Sequence, residues 1–559
     1  MRNRTIALLF LLLTPMLAAS AGAQTLVTQN VVVNTVWSGE IVLDQPIFVT
    51  NGAELTIDPG TIIRGQPRTA AVQAGVIAGS PGALIITQDG TIDANGTAAD
   101  PIIFTTAAVD NNADNIPDST INPPFLDPWT PGDTFYDDDP VGAPLSPLAV
   151  NGEANVSLWG GLVILGEAPT NLANGCGTGI GTCTVEGLTV PGFPVADALY
   201  GGATVGDSSG EIEYISVRHA GDEIGNGNEL NGITLGGVGN GTLFSHVEVY
   251  CNFDDGIEWF GGSVDGDHLS VTFAGDDQFD ADQGYTGTNQ FMVAMLPYFN
   301  EADNDNFGSS SGDKGCECDG DDAPSNVDTP GGPGTIPVPF SDVEFYNFTI
   351  AGSDQSPVYN DHLNNNDGWE GRNGFAGFLA NGIIYNTGGR QCIDIAGGGA
   401  TNFTAADNAA AGTLTAQAVT CDDGSAIPAA ASPEDDMLNV NGVDNLGFAG
   451  VNEPGFLLYA ENTSFDPEGL AGKLDSSLGY IDLRPATADA SMTGGLNPPA
   501  PLDTTATYRG AFPTGGGEMW IAGWTALSLG GIVPVPEPGM ASLLAAGVLG
   551  LSALSRRRR

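Results

Sequence analysis

The segment Ile215-Ser216-Val217-Arg218-His219-Ala220-Gly221-Asp222 returns as Val247-Glu248-Val249-Tyr250-Cys251-Asn252-Phe253-Asp254. It returns again as Leu269-Ser270-Val271-Thr272-Phe273-Ala274-Gly275-Asp276. The second and third copies lie 22 residues apart, the first and second 32. A period of this size, with one copy displaced by an inserted loop, is the spacing of a β-solenoid in which each repeat is one coil. Apolar residues alternate within a copy. Val217, Val249 and Val271 should therefore stack inside, with Cys251 also inward and Tyr250 outward. Gly236-Gly237 before the second copy matches Gly261-Gly262 before the third.

Short β runs extend this pattern towards the N-terminus. They include Glu40-Ile41-Val42-Leu43, Ile47-Phe48-Val49, Glu54-Leu55-Thr56-Ile57, Ala83-Leu84-Ile85-Ile86 and Ile102-Ile103-Phe104-Thr105, with Gly, Pro or Asn-Gly turns between them. Runs this short suit the corners and short strands of a coil better than a sandwich. The expected fold is all-β, a single solenoid body over residues 24–530. Long loop excursions are expected at 110–150, 301–340 and 401–436, which are rich in Asp, Asn, Pro, Gly, Ala and Thr. A chain of 559 residues is too long for one compact core but not for one elongated repeat domain.

The charge narrows the partners. The chain holds 68 acidic residues against 15 Lys and Arg, a formal net charge of −53. A phosphate backbone would be repelled, so nucleic acid is excluded as a partner. Divalent cations are favoured, because they relieve self-repulsion.

Both ends read as sorting signals. Arg2 and Arg4, the apolar run Ile6 to Leu13 and Ala21-Gly22-Ala23 form a secretory signal peptide over 1–23, to be removed by signal peptidase. The far end, 531–559, carries Pro536-Glu537-Pro538, an apolar run from Gly539 to Leu554 and Arg556 to Arg559. That run is short for a spanning helix, and the arginines should stay cytoplasmic. This tail resembles the PEP-CTERM sorting signal of Gram-negative bacteria. The resemblance implies processing by the membrane protease exosortase, transient inner-membrane anchoring, and release to the cell surface or an exopolysaccharide matrix. A plain C-terminal anchor is the alternative. Removing 1–23 and 539–559 takes six arginines and no acid, leaving nine basic residues against 68 acidic ones, a formal charge near −59.

The body in turn resembles the right-handed parallel β-helix proteins of the pectate-lyase-like fold. The resembling stretches are Leu55 to Ile63, Trp159 to Leu165, Asp254 to Gly262, and Tyr508 to Phe512 with Trp520 and Gly523-Trp524-Thr525. They imply one β-helix from about 37 to 525. They imply little about activity, since this fold hosts lyases, hydrolases, adhesins and passive stalks.

Three sets of residues could carry chemistry. Asp110, Asn112, Asp114 and Asp118 have the spacing of a calcium loop, although Asn115 replaces the turn glycine and no acid stands at the twelfth position. A solvated loop is the alternative. Asp254, Asp255 and Glu258 repeat as Asp276, Asp277 and Asp280 one coil on. Carboxylates stacked about 4.8 Å apart must bind a cation or take up protons unless they form a solvated ridge. Arg218 is the one candidate base for a uronate lyase in the repeat, against a plainer role as salt-bridge partner of Asp222 or Glu223. His246 and His268 occupy equivalent positions and read as turn residues. Among seven cysteines, Cys176–Cys183 and Cys392–Cys421 are candidate disulfides by proximity, while Cys316 and Cys318 are too close for a relaxed bridge. The expected function is an exported structural or binding protein of the cell surface or matrix, stabilised by Ca²⁺ and able to meet extracellular polysaccharide. The rival expectation is a polysaccharide lyase or glycoside hydrolase on the same fold.

Overall fold

The computed structural model describes residues 24–297, apart from 71–78, 121–124, 152, 172–182, 186–187, 189–194 and 226–227. Beyond these it describes 314–320, 341–352, 367–385, 392–395, 413–422, 438–440, 443–444, 456–459, 483–484, 495–513 and 518–533. The expected signal peptide, 1–23, and residues 534–559 of the expected sorting tail, with Pro536, Glu537 and Pro538, lie outside the described residues. Among the described residues no helix is long and apolar enough to cross a membrane.

Parallel strands stack coil on coil into a sheet of 16 strands and a facing sheet of 11. The repeat sets the register. Val217 lies beside Val249 and Val249 beside Val271, all three buried. The longer spacing between the first two copies holds the hairpin of Glu223–Gly225 and Asn228–Glu229. Ile, Val, Leu and a few Trp side chains from both sheets fill one continuous interior. β-branched residues dominate it because they pack well on a pleated surface and lose little freedom there.

The long strands of the larger sheet bend at a left-handed residue. Tyr214, His246, His268, Phe291, Asn347, Asn381 and Ala418 all have φ between 48° and 60°. The ladder register on either side of each places them one above another along a single corner. His219, Cys251 and Phe273 form a second left-handed row, with φ of 60°, 56° and 65°. This breaks the alternation read from the sequence. Val249 points into the interior, but Cys251 joins Tyr250 and Phe273 in a separate apolar cluster on the outer side.

Residues 495–533 cover that cluster. The expectation that coils continue to 525 is corrected here: this segment is a strap along the outside. Asn347 Nδ2 donates to the Tyr508 carbonyl at 2.7 Å, and Asn381 Nδ2 to that of Leu496 at 2.9 Å. Phe512, Met519, Ile521 and Leu527 pack on Tyr250, Cys251 and Phe273. Two expected excursions also need correction. Glu317–Asp319, within 301–340, is a strand of the smaller sheet, and Leu414–Asp422, within 401–436, is a strand of the larger one. In each case a coil is completed inside the insertion.

Candidate functional site

The smaller sheet turns a row of acids outward. Register places Glu258 beside Asp280, Asp280 beside Glu317, Glu317 beside Glu370 and Glu370 beside Asp394. Their strand neighbours point inward, including Trp259, Ala281, Cys316, Cys318 and Trp369. The turns preceding these strands add Asp254, Asp255, Asp276 and Asp277.

The result is a set of three overlapping triads. In Asp254/Asp255/Asp276, in Asp255/Glu258/Asp280 and in Asp277/Asp280/Glu317, one ligand oxygen of each residue lies within 4.8 Å of the others. All six acids read from the repeat are therefore gathered. A cavity of about 260 Å³ opens on four of them, Asp254, Asp255, Glu258 and Asp280, bordered also by Asn231, Asp282, Asp319 and Arg372.

The electrostatics are severe. Burial, followed by repulsion from Asp254 and Glu258, pushes Asp255 well above the carboxylate range. Burial does the same to Asp277, where Lys314 opposes it, and to Asp280, where Glu258 and Asp255 reinforce it. Glu370 is raised to about 7 by burial despite Lys314. Lys314 Nζ lies 2.7 Å from Glu317 and 3.2 Å from Glu370, while Arg372 pairs with Asp319 at 2.6 Å and with Glu317. These cations sit at one end of the row. One coil before them Asp277 Oδ1 and Asp280 Oδ1, and nearby Asn231 Oδ1, are buried without a hydrogen-bond partner. A buried carboxylate oxygen with no donor needs a proton or a metal ion.

The other sequence candidates behave differently. Asp110 accepts from the Asp114 and Asn115 amides and Asp118 from the Asn111 amide and the Asn112 side chain, so these acids are spent within the loop and are not gathered. Arg218 is fully buried, donating to Ser216 Oγ at 2.7 Å and to the Pro140 carbonyl at 2.5 Å, with Glu248 at 4.0 Å. The expected pairing with Asp222 or Glu223 is corrected: Arg68 takes both. Arg218 cannot reach a substrate. His246 and His268 stack face to face, 4.3 Å between centroids, against Trp524 and Trp520. With Asp267, one ligand atom of each imidazole lies within 4.8 Å of the others, so the stack packs against the tryptophans and also gathers metal-capable side chains away from the acidic row. Cys183 is disulfide-bonded, and Cys176 lies outside the described residues. The Cys392 thiol is buried and faces the Ile384 carbonyl, and the side chain of Cys421, its candidate partner, lies outside the described residues. Cys251 is a buried thiol that burial holds strongly protonated.

Sequence reading missed Glu317, Asp319, Glu370, Lys314 and Arg372. The signal was present: Gly256-Ile257-Glu258-Trp259 recurs as Gly315-Cys316-Glu317-Cys318 and Gly368-Trp369-Glu370-Gly371. Each is an outward acid preceded by a glycine and an inward apolar residue.

Stacked parallel coils around a single apolar interior make this chain a parallel β-helix. A family model described as a pectate-lyase like beta helix domain matches residues 27–116 and 144–442, more than half of the chain, and the protein belongs to that family. No curated protein and no solved structure matches it.

Proposed function

We propose that the protein is an exported structural or binding component of the cell surface or exopolysaccharide matrix, and that its acidic row holds Ca²⁺. The observation that supports the metal is the convergence of Asp255, Glu258, Asp277, Asp280 and Glu317, with buried oxygens of Asp277 and Asp280 lacking any donor. Calcium accepts six to eight oxygens in flexible geometry, which clustered carboxylates and an amide oxygen such as that of Asn231 can supply. Export follows from the terminal signals, with signal peptidase and exosortase as processing partners and extracellular polysaccharide as the surrounding polymer. The fold alone does not define an activity, and the buried state of Arg218 removes the one base that favoured a lyase.

Calorimetric titration tests the metal. Calcium should bind the purified protein, and Asp280→Asn should weaken binding at least tenfold while magnesium binds far more weakly to both. Equal calcium affinity in wild type and variant would reject the site. Product analysis after incubation with the host's own exopolysaccharide, with and without calcium, tests the structural role, and released oligosaccharide would reverse it in favour of an enzyme.

A further inference from the structure

The first coil is an open end. Thr25–Val27 pairs only with Glu40–Leu43, Thr35–Trp37 pairs only with Glu54–Ile57, and Val31 bridges only to Val49. On all three walls of the coil the opposite backbone edge has no strand beside it among the described residues. Exposed sheet edges are templates for another chain, and proteins normally blunt them with charge, proline or a cover. Here residues 24–39 contain no charged residue and no proline. Leu26, Val32, Val33 and Val36 are instead 44%, 47%, 67% and 64% exposed, half of the eight large exposed apolar side chains among the described residues.

We infer that this end docks a second copy of the same chain, edge to edge about a two-fold axis. The unpaired walls favour that occupant, because a second coil end offers an edge to all of them at once, and the charge distribution places the contact here. Two bodies with a net charge of −53 or more repel wherever their acids face each other. The uncharged first coil is where like copies can approach. A two-fold axis across the solenoid lets the same edge serve both partners, so one surface closes the pair and no filament follows. The backbone groups of both edges are then satisfied together. Removal of 1–23, proposed above, starts the mature chain at Gln24, one residue before the edge, so the inference rests on that reading for its exposure.

Light scattering on protein purified from its producing host, in chelator, with the N-terminus read by mass spectrometry, tests the pairing. A chain beginning at Gln24 should show twice the monomer mass at high micromolar concentration, and added salt should strengthen the pair by screening the two bodies. Val33→Lys with Val36→Lys should give monomer at an unchanged melting temperature. Amide exchange over 25–37 should be slower in concentrated than in dilute wild-type protein. A monomeric chain beginning at Gln24, or a pair that survives both lysines, overturns the inference while leaving the processing intact. A chain that keeps Met1 overturns the processing, and fast exchange at 25–37 within a proven pair overturns the interface.

Discussion

Gly256, Gly315 and Gly368 each precede an outward acid, and none has room for a side chain. A Cβ would lie 2.1 Å from Val271, 2.2 Å from Ile350 and 2.3 Å from Ile384 respectively. The tight coil corner therefore holds the row of acids in line through the glycine two residues before each of them. His219 shows the opposite case, a polar ring held in a left-handed backbone and fully buried. Its Nδ1 meets the Asn155 carbonyl at 2.6 Å, while Nε2 has no partner. Asp137 and Arg218 are the charges that face it. Burial lowers its pKa from 6.5 to about 4, so the fold prefers the neutral ring. The stability this contributes is complete above pH 6.5 and is lost as pH falls towards 4. At about 1.4 kcal/mol per unit the loss is about 3 kcal/mol. Asp222, raised to about 6, acts in the opposite direction, so a difference measurement is required. His219→Gln should lose about 3 kcal/mol less than wild type between pH 6.5 and 4 in denaturant titrations, and equal slopes would refute the assignment. The left-handed row was not legible in the sequence. Positive φ recurs at His219, Cys251 and Phe273, and since Cys and Phe rarely adopt it without tertiary constraint, the row has no shared local signature.

Among the elements, the strap is the part no period announces. Glu248, fully buried, accepts from Ser216 Oγ at 2.5 Å, from the Ala526 amide at 2.7 Å and from the Leu527 amide at 3.2 Å. Those amides open the short helix Ala526–Leu529, capped by Thr525. One carboxylate thus ties the strap to a strand 278 residues earlier and compensates Arg218 beneath it. Contacts at such separation carry no repeat, so the sequence reading extended the coils to 525, where the structure has none. The coils themselves were legible, because inward residues recur at fixed offsets in 215–276. Glu248→Ala leaves Arg218 buried without its counter-charge and the helix amides without an acceptor. The expected cost is about 3–5 kcal/mol in chemical denaturation, with faster proteolysis inside 495–533. Replacing Glu248 and Arg218 together by Leu and Met should recover part of that loss. A double variant no better than Glu248→Ala would mean that the pair is not the source of the cost.

At the scale of the molecule, charge governs stability. The smaller sheet collects acids from coils whose separation in sequence varies with the insertions between them. The six acids at 22-residue spacing were therefore read from the repeat, while Glu317 and Glu370, behind longer insertions, were overlooked although the Gly-x-Glu pattern marks them. With 15 Lys and Arg against 68 acidic residues, the chain repels itself more when folded than when extended. Two carboxylates about 4 Å apart repel by about 1 kcal/mol in bulk water, and by more where water is excluded. The triads, with oxygens within 4.8 Å of one another, concentrate this repulsion in one place. A bound Ca²⁺ turns each of these repulsions into an attraction. Because the triads exist only when the coils are stacked, the proposed ion would bind the folded state and not the unfolded one. Free calcium at about 100 times its dissociation constant then adds about 2.7 kcal/mol to stability. Thermal melts at matched ionic strength should show a higher transition in millimolar calcium than in chelator, and Asp277→Asn with Asp280→Asn should abolish most of the difference. Unspecific screening would raise wild type and variant alike and would let magnesium replace calcium. Either result would leave the acids as a solvated ridge with no shaped site.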